Sequence, residues 1–171
     1  LNLKFNLIFV LFLEKLENVL KVPGYIGLKF LPTYHRYPLD GEKFKKALEF
    51  ANENKLYILI HTWGNNDPHN GPGHIKMLAE KYPDATLIMG HSAPGELDKA
   101  IEVVKTHNNV YLDICDIHRH SGIIDKMVAE VGADKVLFGT DMPWYDPNYA
   151  IGSVLFAKIS DEDKIKILYE N

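Results

Sequence analysis

The sequence predicts an α/β protein built on a parallel sheet, and two observations carry that prediction. From Gly24 onward, short apolar runs alternate with longer amphipathic stretches. The apolar runs are also mostly continuous rather than alternating, as strands covered on both faces require.

Five runs read as strands: YIGLKFL at 25–31, LYILIHT at 56–62, ATLIMGHS at 85–92, NVYLDIC at 109–115 and KVLFGTDMP at 135–143. They are rich in Ile, Val, Leu, Tyr and Phe, which suit a pleated, packed surface. Between them the period changes to that of a helix. Glu42–Asn54 places Phe44, Leu48 and Ala51 on one face. Gly73–Tyr82 does the same with Ile75, Leu78 and Ala79, and Glu96–His107 with Leu97, Ile101 and Val104. Ser121 is the expected N-cap of a helix running through Val131, with Ile124 and Val128 inward. Ser160 and Asp163 form a capping-box-like opening for the last helix.

Strand alternating with helix means βαβ units, and right-handed crossovers bring every strand's C-terminal end to one rim. Five units are present, whereas a closed barrel of this kind needs eight. The residues before Gly24 have room for a helix and one further strand. The pattern therefore leaves two architectures open, an open sheet or a barrel represented by its later strands. No linker-like or low-complexity stretch divides the chain, so 1–171 reads as one domain. The chain opens on Leu rather than Met, so a fragment or a processed chain is expected. The apolar run Leu7–Leu13 is too short to span a bilayer. It reads as a buried strand or helix start in preference to a secretory h-region, because Glu14, Lys15 and Glu17 follow at once with no small-residue cleavage site.

Composition narrows the function. A hydrophobic content of 46% with 25% charged residues is that of an ordinary globular domain. A net charge of −4, with basic residues scattered along helices, gives no reason to expect a nucleic-acid partner. Cys115 is the single cysteine, so an intrachain disulfide is excluded and a reducing, cytoplasmic setting is expected. The expected partner is a small-molecule substrate, with no membrane association; a homo-oligomer would close an otherwise open sheet.

The residues that apolar packing does not ask for stand at strand ends: His61, His91, Asp113 and Asp141. On a shared rim these side chains converge. Two imidazoles and a carboxylate suit Zn²⁺, with Mn²⁺ or Fe²⁺ as other candidates. A metal-bound water has its pKa lowered toward ~7, and Asp141 can take and return its proton. Each residue also has a plainer explanation. A lone strand-end histidine is commonly a satisfied core residue, Asp141 can cap the turn before Pro143, and Asp113 can shape a loop.

The segments GLKF at 27–30, ILIHT at 58–62, GHS at 90–92 and VLFGTDMPW at 136–144 together resemble the amidohydrolase-related family of the amidohydrolase superfamily, over roughly residues 24–171. Residues 1–23 match it poorly. The resemblance implies a (β/α)₈ TIM barrel, of which this chain carries strands 4 to 8. It implies a divalent metal, commonly zinc, held by His61 and Asp141. Asp141 would double as proton shuttle, and His91 would position the catalytic water or bind a second metal. The implied activity is metal-dependent hydrolysis of an amide, ester or lactone. The alternative is metal-dependent decarboxylation of an aromatic or related acid. Trp63, His69, Arg119, Trp144 and Lys29 are the substrate-facing candidates, although rim aromatics also simply close a barrel mouth.

The departure from the family lies at the front. Its first strand supplies an H-x-H or E-x-H ligand pair, and no such strand precedes Gly24. His118-Arg119-His120 has that spelling in the wrong unit. A third expectation is therefore an inactive fragment that lacks the first-strand ligands. A nucleotide-binding open sheet is disfavoured, because no glycine-rich phosphate loop follows any strand.

Overall fold

The computed structural model of the protein describes residues 18, 23–24, 26–117 and 120–171. The run Leu7–Leu13, together with His118 and Arg119, lies outside them. Five strands form one parallel sheet in sequential order: β1 (Gly27–Phe30), β2 (Tyr57–His61), β3 (Thr86–Gly90), β4 (Val110–Asp113) and β5 (Val136–Leu137). Each strand lies within a run that the sequence marks, trimmed at its ends.

The connections are helical. A short turn of helix, α1 (Pro32–His35), and then α2 (Glu42–Glu53) lead from β1 to β2. Next come α3 (Pro72–Lys81), α4 (Leu97–Thr106) and α5 (Ile123–Val131). After β5 follow α6 (Pro147–Leu155) and α7 (Asp161–Ile165), which continues as a π-turn over Lys166–Glu170. The sequence pattern does not foresee α1 or α6, since neither repeats an apolar face long enough to be read. Pro32 and Pro147 open them, where a missing N–H costs nothing.

Sequential strand order with right-handed crossovers puts the helices on one face of the sheet. Along β2, Ile58 and Ile60 are fully buried, and so are Leu87 and Met89 on β3, Val110 and Leu112 on β4, and Val136 on β5. They meet Leu48 and Ala51 of α2, Ile75 and Leu78 of α3, Ile101 and Val104 of α4 and Met127 of α5 in one core. The alternate positions behave differently. Leu59, Ile88, Tyr111 and Leu137 are only half-buried, and they line an open concavity of about 790 Å³ with Gly27 and Thr86. The expectation of strands covered on both faces therefore holds for one face among the described residues. Continuous apolarity reflects the demand of a closed barrel, whose interior is packed by just these alternate positions.

One cap also differs. Ser121 is exposed, and the residue preceding α5 is Gly122, at φ 74°, with no side-chain cap bond. The chain enters this helix through a left-handed turn that favours glycine. Ser160 does cap α7: its hydroxyl accepts the Asp163 N–H at 3.1 Å and donates to the Asp163 carboxylate at 2.9 Å.

Candidate functional site

The parallel register delivers the strand ends together. His61 pairs with Gly90, so His91 follows immediately on the neighbouring strand. Asp113 pairs with Leu137, and Asp141 lies four residues beyond it. Two of these residues stand in left-handed backbone conformations that non-glycine residues seldom adopt. His91 has φ 70° and is followed by Ser92 at 53° and Ala93 at 49°; Asp141 has φ 53°. Such conformations persist only where surrounding bonds hold them. Here the Ser92 hydroxyl donates to the Asp113 carbonyl at 2.7 Å, and the Ala93 N–H to the Thr62 carbonyl at 3.0 Å. After Asp141, the Trp144 N–H closes a turn onto the Asp141 carbonyl at 2.9 Å.

At the rim, a cavity of about 460 Å³ is lined by Lys29, Leu31, Tyr34, His61, Trp63, Asp141, Trp144 and Tyr145. Five residues singled out from sequence for metal or substrate contact thus share one space: His61, Asp141, Lys29, Trp63 and Trp144. Tyr34 enters from α1, its ring edge-on to His61 with centroids 5.1 Å apart. No pattern in the sequence pointed to it, because α1 itself was not legible. His69 is half-buried in the loop after β2 and does not line this cavity; its main chain accepts from the Leu39 N–H and donates to Asp67. Arg119 lies outside the described residues.

Behind the cavity wall, the two histidines are locked together. His91 Nε2 lies 3.0 Å from His61 Nδ1, and the Trp63 indole stacks flat on the His91 ring at a centroid distance of 4.6 Å. His91 Nδ1 faces the Cys115 carbonyl and the Cys115 thiol, each at 3.3 Å. In this arrangement His91 turns both nitrogens to protein partners. With Nδ1 of His61 engaged by His91, its Nε2 is buried and has no hydrogen-bond partner among the described residues. Burial, then the facing His91 and Lys29, pushes the His61 pKa down to about 4. The ring is neutral at neutral pH, the form that binds metals.

Asp113 is the least expected member. It is buried, its Oδ1 accepts the Cys115 N–H at 3.0 Å, and its Oδ2 accepts from the Cys115 thiol at 3.0 Å. Burial raises its pKa. Burial, followed by the charge of Asp113 and the hydrogen bond to it, pushes the Cys115 thiol up as well, so the thiol keeps its proton. Gly139 makes room for this carboxylate, because a Cβ there would stand 2.1 Å from Asp113 Oδ1. The glycine ahead of Thr140-Asp141 thus has a packing reason rather than a turn reason.

His61, with its orphaned Nε2, and Asp141 line the same cavity and fit, in donor type, a divalent metal of the Zn²⁺ or Mn²⁺ kind. In number the described residues offer a partial set: no group of three or more His, Cys, Asp or Glu side chains among them stands ready to hold a metal ion.

A parallel βα sheet carrying its polar residues on the C-terminal rim defines the class: a portion of a (β/α) barrel. Residues 6–171 match the amidohydrolase family model, and the chain belongs to that family. Among curated proteins it is similar to a gamma-resorcylate decarboxylase from Polaromonas sp. (strain JS666 / ATCC BAA-500), at 29% identity over 55% of this chain and 35% of the relative. Solved structures agree on the fold. An uncharacterised TIM-barrel protein from Bordetella bronchiseptica has a TM-score of 0.67 and 24% identity, over 78% of this chain and 50% of that one. A 4-oxalomesaconate hydratase from Rhodopseudomonas palustris has a TM-score of 0.65 and 18% identity, over 93% and 57%. A Polaromonas dihydroxybenzoic acid decarboxylase, solved with bound manganese and the inhibitor 2-nitroresorcinol, has a TM-score of 0.57 and 18% identity, over 76% and 52%. The chain thus spans about a third of the curated relative and about half of these structures. Enzymes of this family use divalent metals. No helix among the described residues is long and apolar enough to cross a membrane.

Proposed function

We propose that this chain carries the later strands of a metal-dependent amidohydrolase-type active site whose reaction is decarboxylation of an aromatic carboxylic acid. The observation that carries the reading is the rim cavity. Its walls are aromatic (Tyr34, Trp63, Trp144, Tyr145), with one cation, Lys29, and the His61 and Asp141 pair. A flat aromatic acid matches that lining: its ring meets ring faces and edges, and its carboxylate meets the Lys29 ammonium. The likeness to a gamma-resorcylate decarboxylase supports the same choice.

His61, through Nε2, and Asp141 would hold the metal. When bound, it supplies Lewis-acid polarisation and charge neutralisation for substrate oxygens. Zn²⁺ and Mn²⁺ both suit these donors. The chain's own residues do the remainder. His91 fixes the His61 ring, Trp63 packs on His91, and Lys29 orients the substrate carboxylate. As the bond between ring carbon and carboxylate breaks, its electron pair stays on the ring carbon and CO₂ departs. Asp141, having taken a proton from solvent water, passes it to this carbon.

The test is an assay of the purified protein, with Mn²⁺ or Zn²⁺ added, against hydroxybenzoic acids and against amides, esters and lactones. Release of CO₂ with formation of the decarboxylated arene is expected, reduced at least 100-fold in Asp141→Asn. Hydrolysis of an amide, ester or lactone without CO₂ release would put the hydrolase in place of the decarboxylase. A protein that binds metal and turns over neither class would overturn the catalytic reading.

A further inference from the structure

The hydrogen bonds behind the rim decide which nitrogen of each histidine carries a proton. A backbone carbonyl only accepts. The Cys115 carbonyl at His91 Nδ1 therefore makes Nδ1 the donor, and in the neutral ring Nε2 is then the acceptor. His91 Nε2 in turn makes His61 Nδ1 a donor across 3.0 Å. The last atom of the chain, His61 Nε2, is left with a bare lone pair, buried and without a hydrogen-bond partner among the described residues.

One group threatens this order. The Cys115 thiol lies as close to His91 Nδ1 as the carbonyl does. A thiol proton aimed at Nδ1 would make that nitrogen an acceptor, move the His91 proton to Nε2, and drive the His61 proton to Nε2 in turn. The bare lone pair would disappear. Asp113 prevents this by taking the thiol proton: Sγ donates to Oδ2 while the neighbouring N–H is held on Oδ1. The sulfur then presents only lone pairs to the histidine. Gly139 keeps the space that lets the carboxylate sit there.

We propose that Asp113, acting through Cys115, is a positioning residue that keeps His91 and His61 protonated on Nδ1 and so keeps His61 Nε2 free to coordinate. Its use rests on reading His61 as a metal-binding nitrogen, but the protonation pattern is a property of the metal-free chain and is measured there. Asp113 does not touch substrate. Its effect reaches the cavity through two side chains.

The experiment is long-range ¹H–¹⁵N correlation NMR of the metal-free chain with ¹⁵N-labelled histidine at neutral pH. The expected spectrum shows His61 and His91 both carrying hydrogen on Nδ1, with Nε2 unprotonated. In Asp113→Asn, the amide group facing Sγ would donate to it and release the thiol proton toward His91. Both rings should move to the Nε2–H form, and Zn²⁺ affinity, read by chelator competition, should fall at least tenfold. Adding Cys115→Ala to Asp113→Asn removes the competing thiol and leaves the carbonyl, so it should restore the Nδ1–H pattern. A purely structural role for Asp113 would not be rescued by deleting a second side chain. Nε2–H at both rings in the unsubstituted chain overturns the proposal, as does a folded Asp113→Asn variant that keeps the original pattern. Should that variant not fold, the unsubstituted chain still tests the proposal, because Nε2–H at either ring overturns it. The expected pattern together with no Zn²⁺ binding would support this proposal and defeat the metal reading instead.

Discussion

At the scale of single residues, the strand ends hold groups whose charged forms the fold resists. His61 is held at about 4, against an ordinary 6.5, first by burial and then by His91 and Lys29. Its folded value lies below its unfolded one, so the unfolded chain binds the proton more readily and stability falls as pH falls. The contribution of His61 is complete above about pH 6.5 and is lost on acidification toward pH 4. The shift corresponds to about 3 kcal/mol. Asp113 acts in the opposite sense: its raised pKa gives stability at low pH that is lost as the group ionises. Urea denaturation of the metal-free chain, with and without His61→Asn, separates the two. The pH dependence between 7 and 4 should be shallower in the variant, and equal slopes would defeat the assignment. Gly139→Ala makes a second residue-scale prediction. The new Cβ would meet Asp113 Oδ1 at 2.1 Å, and overpacking of this sort costs about 1–3 kcal/mol. In an Asp113→Ala background the same change should cost less, since the colliding oxygen is gone; a double-mutant cycle of thermal or urea melts reads the coupling.

At the scale of elements, the two serines that look like helix caps part ways. Ser160 accepts the Asp163 N–H and opens α7, so Ser160→Ala should destabilise the chain by about 1 kcal/mol. Ser121 is exposed and α5 starts from Gly122, so Ser121→Ala should be silent within the error of a melting curve. The contrast shows what the sequence makes legible. Strand cores and the helices α2 to α4 could be read because their periods are long and their apolar faces complete. Ser160 could be read because its partner lies three residues away. Gly122 could not be distinguished from Ser121, since a left-handed entry leaves no mark beyond a glycine. The site divides in the same way. His61, His91 and Asp141 stand out because each interrupts or ends an apolar run. Asp113 stands out in the same way, as the polar end of a strand, but its bonds to Cys115 do not. The contacts of Tyr34 with His61 and of Cys115 with His91 join distant segments that no spacing along the chain announces. Cys115 drew notice only as the single cysteine, while its work is to sit between a carboxylate and a histidine.

At the scale of the whole molecule, the sheet has two unequal faces. The face toward the helices is closed: Ile60 of β2 is fully buried. Its neighbour Leu59 points the other way, into the concavity of about 790 Å³, and is half-buried among the described residues. The two side chains have the same number of carbons and sit one position apart on one strand, so they form a matched probe of what covers each face. Ile60→Ala removes methylenes from a packed core and should cost about 2–5 kcal/mol. Leu59→Ala removes them from a surface that the described residues leave open. There the lost transfer energy shrinks with exposure, and no sealed cavity forms, so it should cost less than half as much. Urea melts of the two variants, compared at equal m-value, measure the difference. Equal costs would mean that the concave face is as well packed as the convex one. Its cover would then have to come from another copy of the chain or from residues outside those described. Repeating the pair at two protein concentrations separates those sources, because only cover from a second copy makes the cost of Leu59→Ala rise with concentration.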